Sequence, residues 1–255
     1  MFHDLYDGVG AYGRRRSKES VLEELEQTRR EAPFNYVIFL DDTFTIHRPW
    51  VREFCRAYRD RIGTPFSLHA RVETVNQDLL GMLAEAGCRH VTYGVESGSD
   101  RIRREVMRRP VTNQRFKDVF AWTREAGIMI TANYMLGLPE ETRDDLQSTL
   151  DLATELAAFD FGYFVFYPYP GTHLFHYCRD RGYLTDEGLK KEANHRESVL
   201  DLPTISRADI AEFYDRFTAL RQALYAARAS VSGRMDDPDD RAEATAHVTR
   251  SADVG

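Results

Sequence analysis

The stretch Leu79-Leu80-Gly81-Met82-Leu83-Ala84-Glu85-Ala86-Gly87-Cys88-Arg89-His90-Val91-Thr92-Tyr93-Gly94-Val95-Glu96-Ser97-Gly98-Ser99 contains a whole structural unit. Leu79, Leu80 and Leu83 repeat at the helical period, so its first part predicts an amphipathic helix. Gly87 ends that helix, because glycine enters the left-handed conformation of a helix stop without a Cβ penalty. From His90 to Val95 the residues become β-branched and aromatic, which predicts a strand. The strand then breaks into a carboxylate, two hydroxyls and a glycine. Helix, glycine stop, strand and polar exit form one repeat of an α/β fold.

The same pattern extends in both directions. Strands are predicted at Tyr36 to Leu40, Phe66 to Ala70, Ile128 to Leu136 and Phe161 to Tyr167. A first helix opens near Ser17, with Val21, Leu22 and Leu25 on one face and Ser20 with Glu23 as its capping box. A second opens at Pro49 and carries Val51, Phe54, Cys55 and Tyr58. Another runs from Thr112 through Phe116, Val119 and Phe120 to Gly127. The fifth opens near Thr142 with Leu146, Leu150 and Ala153. Strand alternating with helix implies right-handed crossovers and a parallel sheet, either doubly wound or a full or partial barrel. No Gly-x-Gly-x-x-Gly follows the first strand, which disfavours a dinucleotide-binding domain. The first helix has no strand ahead of it.

Composition narrows the function. The 255 residues are 42% hydrophobic and can bury one sizeable core. A net charge of -7 and an isoelectric point near 5.7 argue against a nucleic-acid scaffold, which needs a cationic face. No apolar run approaches the roughly 20 residues that cross a bilayer, so no membrane partner is expected and the chain reads as cytoplasmic. Cys55, Cys88 and Cys178 are far apart and odd in number, as expected of reduced, buried thiols. After Gly171 strands give way to helices, the clearest from Arg207 to Ala229. From Ser230 the chain turns polar and acidic, which predicts a disordered tail. The expected domains are residues 1–184, a helical extension over 185–229 and the tail over 230–255.

Polar residues gather at the predicted strand ends, where β/α folds place their working face. Asp41 and Asp42 follow the first strand, Arg71 and Glu73 the second, and Glu96 and Ser97 the third. Asn133 lies in the fourth, which leads to Gly137-Leu138-Pro139-Glu140-Glu141-Thr142. The fifth ends in Tyr167-Pro168-Tyr169-Pro170-Gly171-Thr172. Carboxylates, an Arg and amide groups on one rim suit a zwitterionic ligand that carries a ribose. An alternative use is a divalent metal on Asp41, Asp42 and Glu96, as in a metal-dependent β/α-barrel lyase or hydrolase.

Several of these segments resemble the radical SAM enzymes. Glu85-Ala86-Gly87-Cys88 with Gly94-Val95-Glu96-Ser97-Gly98-Ser99 is similar to that family's fourth-strand region. Phe39-Leu40-Asp41-Asp42-Thr43-Phe44 resembles the second-strand segment of the subgroup often fused to a cobalamin-binding domain. Met135-Leu136-Gly137-Leu138-Pro139 with Glu141-Thr142, and Tyr169-Pro170-Gly171-Thr172, resemble its fifth- and sixth-strand exits. The resemblance runs from about Tyr12 to Leu184. It implies a partial parallel (β/α)6 TIM-like barrel lacking its first strand, plus a C-terminal helical extension. It also implies S-adenosylmethionine (SAM) as ligand: Asp41 and Asp42 at its amino group, Glu96 and Ser97 at the ribose, and Arg108 or Arg71 at the methionyl carboxylate. Asn133 would lie near the ribose, and the Leu138 backbone and Tyr167 would flank the adenine. His69 and Tyr169 would face a small-molecule substrate.

The resemblance further implies a [4Fe–4S] cluster that cleaves SAM reductively to a 5′-deoxyadenosyl radical, fed by an electron donor such as flavodoxin or ferredoxin. Cobalamin is implied for a full-length parent. The cluster's Cys-x-x-x-Cys-x-x-Cys ligands are absent from this sequence, whose start resembles the stretch just after that motif. A shortened form of a longer enzyme is therefore expected. The alternative is a cluster-less barrel that binds SAM without radical chemistry.

Overall fold

The computed structural model describes residues 15–184, 188 and 196–232. Helices and strands alternate: α1 (Lys18–Glu31), β1 (Val37–Phe39), α2 (Arg48–Arg61), β2 (Phe66–Ala70), α3 (Gln77–Glu85), β3 (Cys88–Glu96), α4 (Asn113–Glu125), β4 (Met129–Leu136), α5 (Arg143–Leu156) and β5 (Asp160–Val165). Beyond β5 come α6 (His173–Asp180) and α7 (Arg207–Ser232). Helix starts follow local chemistry. Thr112 and Thr142 each accept a backbone N–H with their side chains, and Thr142 with Asp145 forms a full capping box. For α1 the cap is Ser17, not Ser20: Ser17 is extended, and its hydroxyl accepts the Ser20 N–H.

All five strands are parallel, in the order β1-β2-β3-β4-β5. That order never reverses, unlike a doubly wound sheet, so successive right-handed crossovers leave their helices on one face. Each of α1 to α5 accordingly packs beside the next. Alternation along the strands then sorts the side chains. Phe66, Leu68, Val91, Tyr93, Ile130 and Tyr134 are buried beneath the helix layer. The Tyr93 hydroxyl, 3.1 Å from Thr123 Oγ1 of α4, marks that direction. Ser67, His69, Thr92, Glu96, Thr131 and Asn133 occupy the opposite face and stay partly exposed. The fold is a section of barrel wall with an apolar outside and a polar inside.

β5 is covered by α7. Ile210, Phe213 and Phe217 are buried, and the Phe217 ring lies 5.6 Å from Tyr134, 6.1 Å from Phe161 and 5.7 Å from Tyr163. Arg143 of α5 pairs with Asp209 and Glu212 of α7. From Arg207 to Phe217, α7 is therefore part of the wall. Contacts divide the chain after Phe217. In the second unit the helix continues to Ser232, past the predicted end at Ala229, and Arg221 lies over the Tyr225 ring. The acidic tail beyond Ser232 and most of the stretch between Leu184 and Arg196 lie outside the described residues. No described helix is long and apolar enough to cross a membrane.

Candidate binding face

The third strand supplies the first functional side chain. Its ladder slips between Gly94 and Glu96, so that Gly94 pairs with Asn133 and Glu96 with Tyr134. Such a bulge redirects one side chain. Glu96 has φ 71°, a left-handed value uncommon for a residue with a Cβ. Its carboxylate folds back over Gly94, with Oε1 2.3 Å from where a Cβ on Gly94 would stand. Only glycine leaves that space. Burial pushes the Glu96 carboxyl up to about 7, against the opposing pull of the Arg109 charge.

Arg109 comes back to the same place from the β3–α4 connection. It is 7% exposed, and its guanidinium grips Glu73 with both ends, Nε to Oε1 at 3.0 Å and Nη2 to Oε2 at 2.9 Å. Nη1 donates to Gly94 O at 2.6 Å. Arg71 Nη2 reaches Glu73 Oε1 at 2.7 Å. Burial would raise the Glu73 carboxyl, but the two guanidinium groups outweigh it and hold it at about 2. Two arginines around one carboxylate leave a net positive charge beside Glu96. Of the five N–H donors of a guanidinium, Arg109 commits three. The remainder suit an anionic ligand group.

The residues after Glu96 do a different job. Ser97 is fully buried; its hydroxyl lies 3.3 Å from Thr149 Oγ1 and accepts the Ser99 N–H. Gly98 N donates to Thr149 Oγ1 at 2.9 Å, and a Cβ on Gly98 would meet Ser148 O at 2.2 Å. Ser99 Oγ donates to Asp145 at 2.6 Å. The Ser97-Gly98-Ser99 run is thus seated on the first two turns of α5. Ser97 is an anchor, and the structure does not bring its hydroxyl to the open face.

The β4 exit turn is held by Glu141, which is fully buried. Its Oε2 accepts from Gly137 N at 2.6 Å and Leu138 N at 3.0 Å, while Oε1 has no partner. Leu138 also accepts the Glu141 N–H, and its side chain belongs to a small apolar cluster with Ile102, Val106, Phe166 and Leu174. Both backbone groups of Leu138 are therefore engaged within the turn. Asn133 projects onto the open face, where its Oδ1 lies 2.8 Å from the Cβ position of Gly162. Tyr167 and Tyr169 meet edge to face at 5.1 Å beyond β5.

The other predicted residues fall apart from this cluster. Asp41 and Asp42 are exposed on the loop after the edge strand β1. His69 lies on the open face two register positions below Gly94 and Asn133, opposite Thr92. Arg108 is exposed at φ 53° and does not turn inward; its neighbour Arg109 does. Among the described residues no group of three His, Cys, Asp or Glu side chains could hold a metal ion. Cys55, Cys88 and Cys178 are buried in α2, at the start of β3 and in α6, and burial pushes each thiol up to about 12. They behave as small apolar residues.

Known proteins resemble this chain in family and fold. Residues 5–153 match the family described as the Radical SAM superfamily. The chain is 24% identical over 225 residues to cytidylyl-2-hydroxyethylphosphonate methyltransferase from Streptomyces wedmorensis, covering 83% of this chain and 42% of that protein. Among solved structures it resembles the radical S-adenosylmethionine methyltransferase TsrM from Kitasatospora setae with cobalamin and [4Fe-4S] cluster bound. The TM-score is 0.59 at 19% identity, covering 78% of this chain and 41% of the other. Coproporphyrinogen III oxidase (HemN) from Escherichia coli, a radical SAM enzyme, gives 0.57 at 18% identity, with 81% and 47% covered. These likenesses show the partial-barrel fold. The chain spans less than half the length of each of these relatives.

Proposed function

Because this chain belongs to the radical SAM superfamily, we propose that the open face of its sheet binds SAM and is the SAM-holding part of a methyltransferase-type enzyme acting on a small molecule. One observation carries this reading: Glu96 and Arg109, from the two ends of the β3–α4 connection, converge on one open face beside Gly94. A carboxylate accepts ribose hydroxyls or an ammonium group, and a guanidinium with free donors takes a carboxylate. Glu96 and Asn133 hold the ribose in this reading. Arg109, supported by Arg71, holds the methionyl carboxylate in place of Arg108. Asp41 and Asp42 receive the amino group, the turn at Leu138 and Tyr167 border the adenine, and His69 and Tyr169 face the substrate.

When bound with a reducing cluster, SAM supplies a 5′-deoxyadenosyl radical. The three thiols of this chain do not fit such a cluster, since they are buried in α2, at the start of β3 and in α6, away from the open face, and burial keeps them protonated at neutral pH. A cluster over this face requires other ligands, and what these residues contribute is grip on SAM. Cobalamin, a flavodoxin- or ferredoxin-type electron donor, and a cytoplasmic setting without nucleic-acid or membrane partners complete the proposal. Hydrogen exchange with and without SAM tests it. SAM is expected to slow exchange in Phe66–Arg71, Gly94–Ser97 and Asn133–Gly137. No protection, or protection confined to the helix layer, contradicts the reading.

A further inference from the structure

Between Ser99 and Thr112 the chain carries five arginines, and one of them is fully buried. Arg103 is 0% exposed, and its fork is spent on two backbone carbonyls and two side chains around it. Nε donates to Val111 O at 2.8 Å, Nη1 to Ser97 O, and Nη2 to Asp100 and to Asn113 Oδ1 at 2.6 Å. Asn113 Nδ2 in turn donates to Gly98 O at 3.0 Å. One side chain therefore ties the departure of the β3–α4 connection, at Ser97, to its return at Val111.

Between those ties the chain makes one wide turn over Ile102–Val106, closed by Met107 N to Ile102 O at 3.0 Å. Turns of this π type are rare and often lie at functional sites. Arg108 then takes a left-handed conformation, and Arg109 N donates back to Arg103 O at 2.7 Å. The two guanidinium groups also share one surface, the ring of Phe116, at 5.2 Å for Arg103 and 5.8 Å for Arg109. Arg103 thus meets Arg109 through the backbone and through a common ring, while touching neither Glu96 nor the open face.

We propose that Arg103, acting with Phe116, is a positioning residue: it sets where Arg109 re-enters the fold and so aims that guanidinium at the ligand. This inference rests on the SAM reading above for its functional consequence, but the placement of Arg109 can be measured without SAM. A lysine cannot replace Arg103, because three donors on one ammonium do not span Ser97 O, Val111 O and Asn113.

The test has two arms. In the first, the 15N Nε–H resonance of Arg109, assigned by its loss in Arg109→Met, is recorded on the ligand-free protein. Arg103→Met and Phe116→Leu are each expected to shift or broaden it. An unmoved resonance in folded variants overturns the proposal, whatever SAM does. In the second, SAM is titrated calorimetrically into wild type, Arg109→Met, Arg103→Met and the double variant. Each single substitution is expected to weaken binding about tenfold, and the double no more than Arg109→Met alone. Additive losses would mean that Arg103 does not act through Arg109. If Arg103→Met fails to fold, Phe116→Leu serves alone in both arms. It is expected to weaken binding about threefold in wild type and not at all beside Arg109→Met. Absent SAM binding in wild type overturns the functional reading and leaves the first arm standing.

Discussion

Gly94 and Glu96 work as a pair, since the carboxylate occupies the space that any side chain at 94 would fill. Gly94→Ala is therefore expected to expel the Glu96 carboxylate and weaken SAM binding about tenfold, read by calorimetry. Unchanged affinity would mean that Glu96 does not hold the ligand from this position. Ser97 was not separable from Glu96 in the sequence, because β3 ends at Glu96, whose bulge and left-handed backbone break the strand alternation there. Only its seat against Thr149 of α5 removes Ser97 from the open face. Arg109 was harder to see, because five arginines in one short stretch look alike. The clue is Pro110, which biases Arg109 toward extended backbone and so leaves Arg108 to make the left-handed turn.

Glu141 gives the residue scale its pH dependence. Burial pushes its carboxyl from 4.5 up to about 8, outweighing the two backbone donors at Gly137 and Leu138. A folded value above the unfolded one means that folding takes up a proton, so the stabilisation is complete below about pH 4.5 and is lost as pH rises through 8. Glu96, raised to about 7, acts in the same direction. Glu73, held near 2, acts oppositely and loses its contribution only as pH falls from 4.5 toward 2. Urea denaturation at pH 5 and pH 9 should show wild type losing on the order of 3 kcal/mol more than Glu141→Gln. Equal losses in the two proteins would contradict this.

At the scale of elements, the β3–α4 connection is seated on α5 through Gly98, and α3 carries a glycine with no such duty. A Cβ at Gly98 would stand 2.2 Å from Ser148 O, backbone that cannot yield, whereas Gly81 has nothing within 4 Å. Gly98→Ala should cost on the order of 3 kcal/mol or prevent folding. Gly81→Ala should instead stabilise by about 0.5–1 kcal/mol, since it improves a helix interior without a clash. Thermal unfolding of the two variants checks both signs. The elements themselves were plain in the sequence: β2 was predicted at its observed bounds, and Gly87 and Gly127 stop their helices at φ 103° and 73°. The α1 cap was misplaced because Ser17 and Ser20 are both serines ahead of an apolar run. Which one is extended depends on where the chain enters the helix layer.

For the whole molecule, the unreversed strand order is what makes one face available. Helices return to a single side, so polar residues on the other are left open together. The sequence pattern predicted the parallel sheet, and the five aligned strands bear it out. What pattern could not foretell is that α7, up to Phe217, closes the outer wall over β5, because that packing joins residues far apart in the chain. Phe217→Ala should therefore cost about 3–5 kcal/mol, as for a large side chain removed from a core. A loss below about 1 kcal/mol would mean that α7 is an appendage.

Two side chains, Glu96 and Arg109, meet on that open face. Calorimetric titration of SAM into wild type, Glu96→Ala, Arg109→Ala and Arg108→Ala tests this directly. Wild type should bind, Glu96→Ala and Arg109→Ala should each bind about tenfold more weakly or worse, and exposed Arg108→Ala should bind like wild type. Equal affinity in all four proteins would contradict the placement of the ligand on this face.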